Sequence, residues 1–234
     1  MSELTPGSAE QFFSLISEGW KPKSPEYGLS EHQIHQLSSF LVQLNRWNQV
    51  HSLTAILEPK QQVIRHIFDA LAIWPELERG LGGRLAAGGR VADVGSGMGV
   101  PGVVLAIVMP EFQFDLIERQ QKKASFLRHV VARLGYADQI RVLDLDVTRI
   151  AAEEGYDLIV CRAFSGLQEF LTLTHHLSKP GTLWAAMTGR AEKSEESLSK
   201  MTIKNNELVL SPAIPIAVEG LVAERHLVWV KRPA

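Results

Sequence analysis

A single cysteine, Cys161, stands in 234 residues. An internal disulfide framework and a metal site built from several thiolates are therefore excluded, and the usage suits a reducing compartment. Long apolar runs are also missing. The longest, Val100 to Pro110, is broken by prolines and a glycine and falls far short of the ~20 residues a membrane span requires. Neither charge is in excess: 24 Lys and Arg stand against 26 Asp and Glu, a formal net charge of −2. Affinity for nucleic acid must then come from a local basic patch rather than from bulk charge. The polar opening "MSELTPGSAE" has no basic segment followed by an apolar one, which argues against a signal peptide. The expectation is a cytoplasmic protein that avoids membranes.

What is present is enough apolar side chain, 45% of the residues, to bury a sizeable core. From Ser8 to about Leu77 the pattern is helical. Ser30 followed by Gln33 reads as a capping box, and Ile34, Leu37, Leu41 and Leu44 recur at helical spacing. A further helix opens at Pro59 and lays Val63, Ile67, Ala70 and Trp74 on one face. The glycine-rich stretch from Pro75 to Arg90 reads as a linker. It separates a helical extension, residues 1–85, from a second region, residues 86–234.

In that second region short apolar runs alternate with helical stretches. Val91–Val94, Gln113–Ile117, Gln139–Leu143, Asp157–Cys161 and Leu183–Met187 read as strands, and Gln121–Leu134 and Gly166–Leu177 as helices. Such alternation predicts an α/β fold with a mostly parallel, Rossmann-like sheet. The terminal "ERHLVWVKRP" follows the proline-broken "SPAIPIAVEG" and predicts an antiparallel strand near one edge.

The stretch "VADVGSGMGVPG" ends the first strand at Val94 and places glycines at 95, 97 and 99. Ligands of open α/β sheets lie outside the carboxyl ends of the strands, where these glycines permit a tight turn and a close approach. A dinucleotide fingerprint would need glycine at position 100, where Val100 stands. Asp-Val-Gly-x-Gly-x-Gly instead resembles the cofactor loop of S-adenosylmethionine-dependent methyltransferases, whose cationic cofactor has no pyrophosphate to bind. Asp93 could meet the methionine end of that cofactor or cap a turn. Glu118 could accept both ribose hydroxyls or be a solvated strand end. The site candidates on this side are Asp93, Gly95, Ser96, Gly97, Gly99, Val100, Glu118, Asp146, Val147, Thr148 and Arg162.

The segments "LNRWNQVHSLTA", "RHIFDAL", "DVGSGMGVPGVVLAI", "KKASFLR", "CRAF" and "ERHLVWV" resemble, in order, the bacterial GidB/RsmG family, which methylates N7 of one guanine in 16S ribosomal RNA. The resemblance covers most of the chain from about Leu41 onward. It implies a class I methyltransferase fold, S-adenosylmethionine as cofactor, and 16S rRNA or a small-subunit precursor as partner. The chain is expected to be monomeric and to need no metal. The resemblance places Arg162 on cofactor or substrate, as the catalytic candidate, and Arg65, His66, Lys122, Lys123 and Arg225 on the substrate side. Arg65 and Asp69 could equally be a local i,i+4 ion pair. By helical rotation Lys123 faces the sheet and the site rim, whereas Lys122, His129 and Arg133 fall on the solvated face.

Other chemistries fit less well. No Asn/Asp-Pro-Pro-aromatic turn for amine methylation follows the fourth strand, and Cys161 reads as a small core residue rather than a ring-attacking nucleophile. His32, His35, His175 and His176 lack the spacing of a zinc-binding helix. Two departures from the family pattern are visible. Asp146-Val147-Thr148 replaces a basic-x-acidic motif, and Thr188-Gly189 replaces Lys-Gly; either Arg190 restores the charge, or the same fold acts on another RNA or a small molecule, or binds the cofactor without transfer.

Overall fold

A computed structural model describes residues 7–82, 88–151, 154–162, 166–189, 199–204 and 206–233 of the chain. The first helix, α1 (Ala9–Gly19), is capped by the Ser8 hydroxyl, which accepts from the Gln11 amide. Helix α2 (Glu31–His51) begins with the expected capping box of Ser30 and Gln33, a device contributing about 1 kcal/mol. Its Ile34, Leu37, Leu41 and Leu44 are buried. Next, α3 (Pro59–Gln62) is opened by the Glu58 carboxylate, which accepts from the amides of Lys60 and Gln61. It widens into a π-helical turn at Val63–Phe68 and closes as α4 (Asp69–Leu71). The stripe Val63, Ile67, Ala70 and Trp74 is buried, as its spacing predicts.

The first half of the expected linker or turn, from Pro75, is helical. Residues Trp74–Leu81 form α5, with Pro75 in the first turn and Gly82 closing it in the left-handed region at φ 54°. Leu77 and Leu81 are buried on its inner face. Gly80 is there because the ring of Trp229 lies where a side chain would stand. It marks a close approach, not a break in the helix.

The sheet follows as β1 (Arg90–Val94), α6 (Gly102–Val108), β2 (Gln113–Ile117), α7 (Gln121–Leu134), β3 (Ile140–Leu143), β4 (Tyr156–Arg162), α8 (Leu167–Thr174) and β5 (Ser178–Thr188). Then come β6 (Ser199–Ile203), β7 (Asn206–Leu210), β8 (Ile214–Pro215) and β9 (His226–Lys231). The order is β3-β2-β1-β4-β5-β9-β7-β6, with β8 also on β9. Strands β1 to β5 pair in parallel; β9, β7 and β6 extend the sheet antiparallel. The expected antiparallel strand, β9, lies near one edge of the sheet, two strands in, and pairs antiparallel with β8 of the proline-broken segment. A hairpin of β6 and β7, unforeseen in the sequence, covers it.

Side chains alternate across the sheet as the two-residue period requires. On β4, Leu158 and Val160 face one cluster of buried residues, while Ile159 and Cys161 face the other beneath α8. The first cluster is shared with the helical extension: Phe12, Leu37, Phe40 and Ile67 join Val103, Phe126 and Leu158 in one continuous core. Phe40 and Trp47 of α2 meet Phe126 of α7 with ring centroids 6.4 and 5.7 Å apart. His129 is exposed, as expected, and from that face also bonds Gln43 of α2 at 3.1 Å, because α2 lies alongside α7 there. The chain changes direction across the sheet between β1 and β4, which places the topological switch point at the end of β1.

Candidate active site

The loop after β1 is shaped by backbone that side chains resist. Gly95 and Gly99 take φ of 73° and 88°, a region open to glycine and strained for other residues. A β-carbon at Gly99 would stand 2.7 Å from Val103 and 3.0 Å from Leu127, whereas at Gly95 it would meet nothing within 4 Å. The two glycines serve different needs: Gly99 lets the loop pack against the helices, and Gly95 forms part of a cavity wall. The amides of Gly95 and Ser96 both donate to the Ile117 carbonyl, at 2.9 and 3.1 Å, which ties the loop to the end of β2.

One residue farther along, Glu118 is 5% exposed. Its carboxylate accepts from the Gly97 amide at 2.9 Å and from the Gln120 amide at 2.7 Å. A carboxylate has about four acceptor positions, so these two bonds fix its orientation and leave capacity for a ligand. Glu118 lines a cavity of about 650 Å³ together with Gly95, Ile117, Lys123, Leu145 and Arg162. Asp146, Val147 and Thr148 form another part of its wall. There the Asp146 carboxylate accepts from the amide and hydroxyl of Thr148, at 3.0 and 2.7 Å, and holds the turn. Lys123 is half-buried at the rim, as its rotation on α7 predicts.

Asp93 lies elsewhere. It is 1% exposed and is not among the cavity residues; its carboxylate accepts from the Gly102 amide at 3.0 Å at the start of α6. Its burial and its bond to Gly102 fit the capping alternative. Burial pushes its pKa up to about 6, against the lowering effect of its hydrogen bonds to Ser96 and Gly102. Ser96, Gly99 and Val100 are buried, and Gly97 is half-buried with its amide on the Glu118 carboxylate.

Arg162 ends β4 with its side chain 22% exposed and lines the cavity. Its Nη1 donates to the Arg65 carbonyl at 3.0 Å and to the Asp69 carboxylate at 3.5 Å. Arg225, just before β9, donates from Nε to the other oxygen of Asp69 at 2.7 Å. Asp69 is thus a buried carboxylate shared by two arginines and not the partner of Arg65, whose own side chain bonds Gln61 at 3.0 Å on the exposed side. Sequence reasoning missed this role, because its partners lie 93 and 156 residues away. His66 does not reach the cavity either. It is 2% exposed, contacts the Thr54 hydroxyl at 3.2 Å, and is held near pKa 4 by burial and by the charge of Arg162. Arg65, Lys122 and Arg225 also lie off the cavity wall, whereas Thr188 ends β5 opposite His226. Ala163, Phe164 and Arg190 lie outside the described residues.

The set fits the cofactor that the loop suggests. A cavity of this size falls within the ~300–1,000 Å³ of small-molecule sites. Glu118 offers acceptors to a diol, Gly95 removes the side chain that would fill the space, and Leu145 and Val147 add apolar surface. Cys161 is 1% exposed, and burial raises its thiol well above the ordinary value. It is therefore no nucleophile. No group of three metal-binding side chains occurs among the described residues.

Comparison with known proteins agrees with this geometry. N-methyltransferase NodS of Bradyrhizobium japonicum, solved with S-adenosylhomocysteine, superposes with a TM-score of 0.52 at 13% identity, covering 81% of this chain and all of that one. The fold is that of class I S-adenosylmethionine-dependent methyltransferases. Ribosomal RNA small subunit methyltransferase G of Chromobacterium violaceum is 38% identical over 200 residues, which is 86% of this chain and 89% of the relative. The protein of the same name from Methylobacillus flagellatus is 36% identical over 195 residues, covering 83% and 87%. The family pattern of GidB, rRNA small subunit methyltransferase G, matches residues 33–228, and the chain belongs to that family.

Proposed function

We propose that the protein transfers a methyl group from S-adenosylmethionine to N7 of a guanine in 16S rRNA, presented as free RNA or as a small-subunit precursor in the cytoplasm. The observation that carries this reading is the cavity at the end of β1, bounded by Gly95 and Glu118, in a chain of the small-subunit rRNA methyltransferase family. When bound, the cofactor supplies an electrophilic methyl group on a sulfonium centre. Glu118 accepts hydrogen bonds from the ribose hydroxyls, and the Asp146–Thr148 turn frames the adenine through backbone groups. Asp93, Ser96, Gly97, Gly99 and Val100 support the loop from behind.

On the substrate side the chemistry asks for alignment. The N7 lone pair of guanine needs no proton removed, so a general base is unnecessary and positioning carries the rate. Arg162 holds a phosphate, the guanine O6 or the cofactor carboxylate; a bidentate grip on O6 and N7 would mask the nucleophile. Lys123 at the rim and the exposed Lys122 and Arg65 meet RNA phosphates, while Arg225 shares the Asp69 carboxylate with Arg162. The buried thiol of Cys161 argues against carbon-5 pyrimidine methylation, which requires a thiolate.

Methyl-labelled cofactor and small-subunit RNA from cells lacking the family enzyme test the reading. Label in one guanine, with strand cleavage by the chemistry that attacks N7-methylguanine, is expected. Cofactor bound without label in RNA would overturn it.

A further inference from the structure

The two arginines on one carboxylate connect the helical extension to the catalytic end of the sheet. Asp69 belongs to α4, Arg162 to the last position of β4, and Arg225 to the segment entering β9. The Asp69 side chain is 3% exposed, and those of Arg162 and Arg225 are each 22% exposed. Opposite charge within 4 Å is weakly screened in such surroundings. The π-helical turn completes the arrangement. Its register sends the Asp69 amide to the Ile64 carbonyl, one residue beyond the Arg65 carbonyl that an α-helix would use. The Arg65 carbonyl instead accepts from Arg162 Nη1 at 3.0 Å. Such π bulges are often found at functional sites.

We propose that Asp69 is a positioning residue for Arg162: it holds Nη1 from inside, so that the outer edge of the guanidinium stays presented to the cavity, and keeps Arg225 from displacing it. Both hydrogen bonds of Arg162 among the described residues engage Nη1, and the residue lines the cavity. The Arg225 charge opposes that of Arg162, so a neutral residue at 69 would leave two like charges facing one another. Stability alone does not account for the carboxylate, because a buried ion pair is commonly no better than apolar packing of the same volume. The π turn leaves the Arg65 carbonyl, which an α-helical register would assign to the Asp69 amide, to accept from Arg162.

This inference rests on the methyl-transfer reading, and its test separates the two. In Asp69→Asn, kcat falls on the order of 10²-fold, the scale of a ~1 Å misplacement near a reacting group, while calorimetric affinity for S-adenosylhomocysteine stays unchanged. Asp69→Glu restores most of the loss. In an Arg162→Lys background, Asp69→Asn has less than a roughly threefold further effect, since the two act through one contact. Equal losses in both backgrounds, or wild-type kcat in a folded Asp69→Asn protein, would overturn the proposal. If Asp69→Asn does not fold, the same cycle is run with Asp69→Ser, and the same non-additivity is required. A second readout is independent of activity. In protein labelled with ¹⁵N-arginine, the guanidinium signals of Arg162 and Arg225 shift and exchange faster with solvent in Asp69→Asn, and return toward their wild-type positions in Asp69→Glu. Unmoved signals contradict the proposal even if the wild-type protein methylates no RNA.

Discussion

At the scale of single residues, buried ionisable groups make the sharpest predictions. Arg162→Ala removes the one arginine that both lines the cavity and ends a core strand. Transfer is expected to fall by on the order of 10³-fold, as for loss of a group that stabilises or aligns the reacting centre, with the circular dichroism spectrum unchanged. Asp93 and His66 pull stability in opposite directions with pH. Asp93 is raised by burial to about 6; its penalty is absent below the unfolded value of ~3.9 and is fully felt above 6, an effect of about 3 kcal/mol. His66 is lowered to about 4 by burial and by Arg162; its contribution is complete above the unfolded value of ~6.5 and is lost as pH falls through 4, again by about 3 kcal/mol. The two nearly cancel in the wild-type protein. Asp93→Asn, whose amide oxygen can still accept from Gly102, removes only the first. Urea titrations at pH 4.5 and 7 should therefore show a steeper acid loss of stability in the variant than in the wild-type protein. Parallel pH profiles would show that Asp93 does not titrate in this range.

At the scale of elements, the loop after β1 divides into parts with separable consequences. Gly99→Ala forces a methyl against Val103 and Leu127 in a left-handed backbone, and overpacking with strain costs about 1–3 kcal/mol. Gly95→Ala meets no protein atom. It should cost less stability and weaken cofactor binding more; thermal melts and calorimetry on the two variants read this reversal directly. The loop was legible because glycine spacing acts locally, and α7 was legible because Leu127, Val130, Val131 and Leu134 repeat as a buried stripe. Other elements were hidden for physical reasons. Gly80 looks like a helix breaker until Trp229 is brought against it from the far end of the chain. The β6–β7 hairpin alternates, with Met201, Ile203, Leu208 and Leu210 on one core cluster, but two such positions per strand are too short a pattern to stand out. The π turn has no sequence signature, and without it Asp69 reads as the local partner of Arg65.

For the whole molecule, the shared core decides how the chain unfolds. Residues of α1 and α2 and residues of α6, α7 and β4 belong to one apolar cluster, so removing the extension would strip the cover from one face of the sheet. A single cooperative transition is expected in urea, the same by fluorescence and by far-ultraviolet circular dichroism. Phe126→Ala, at the junction with Phe40 and Trp47, should shift that transition by about 3–5 kcal/mol without splitting it. Separate transitions for helices and sheet would contradict the shared core. The sheet class and the position of its ligand-binding end follow from the alternation of strands and helices, which is a global pattern. The Asp69 cluster does not, because it depends on how the extension is seated on that sheet.

Calorimetric titration with S-adenosylhomocysteine tests the cavity beside Gly95 and Glu118. Saturable one-to-one binding to the wild-type protein is predicted, lost in Gly95→Val and weakened at least tenfold, roughly one 1.4 kcal/mol step, in Glu118→Ala. Undiminished binding to both variants would contradict the account.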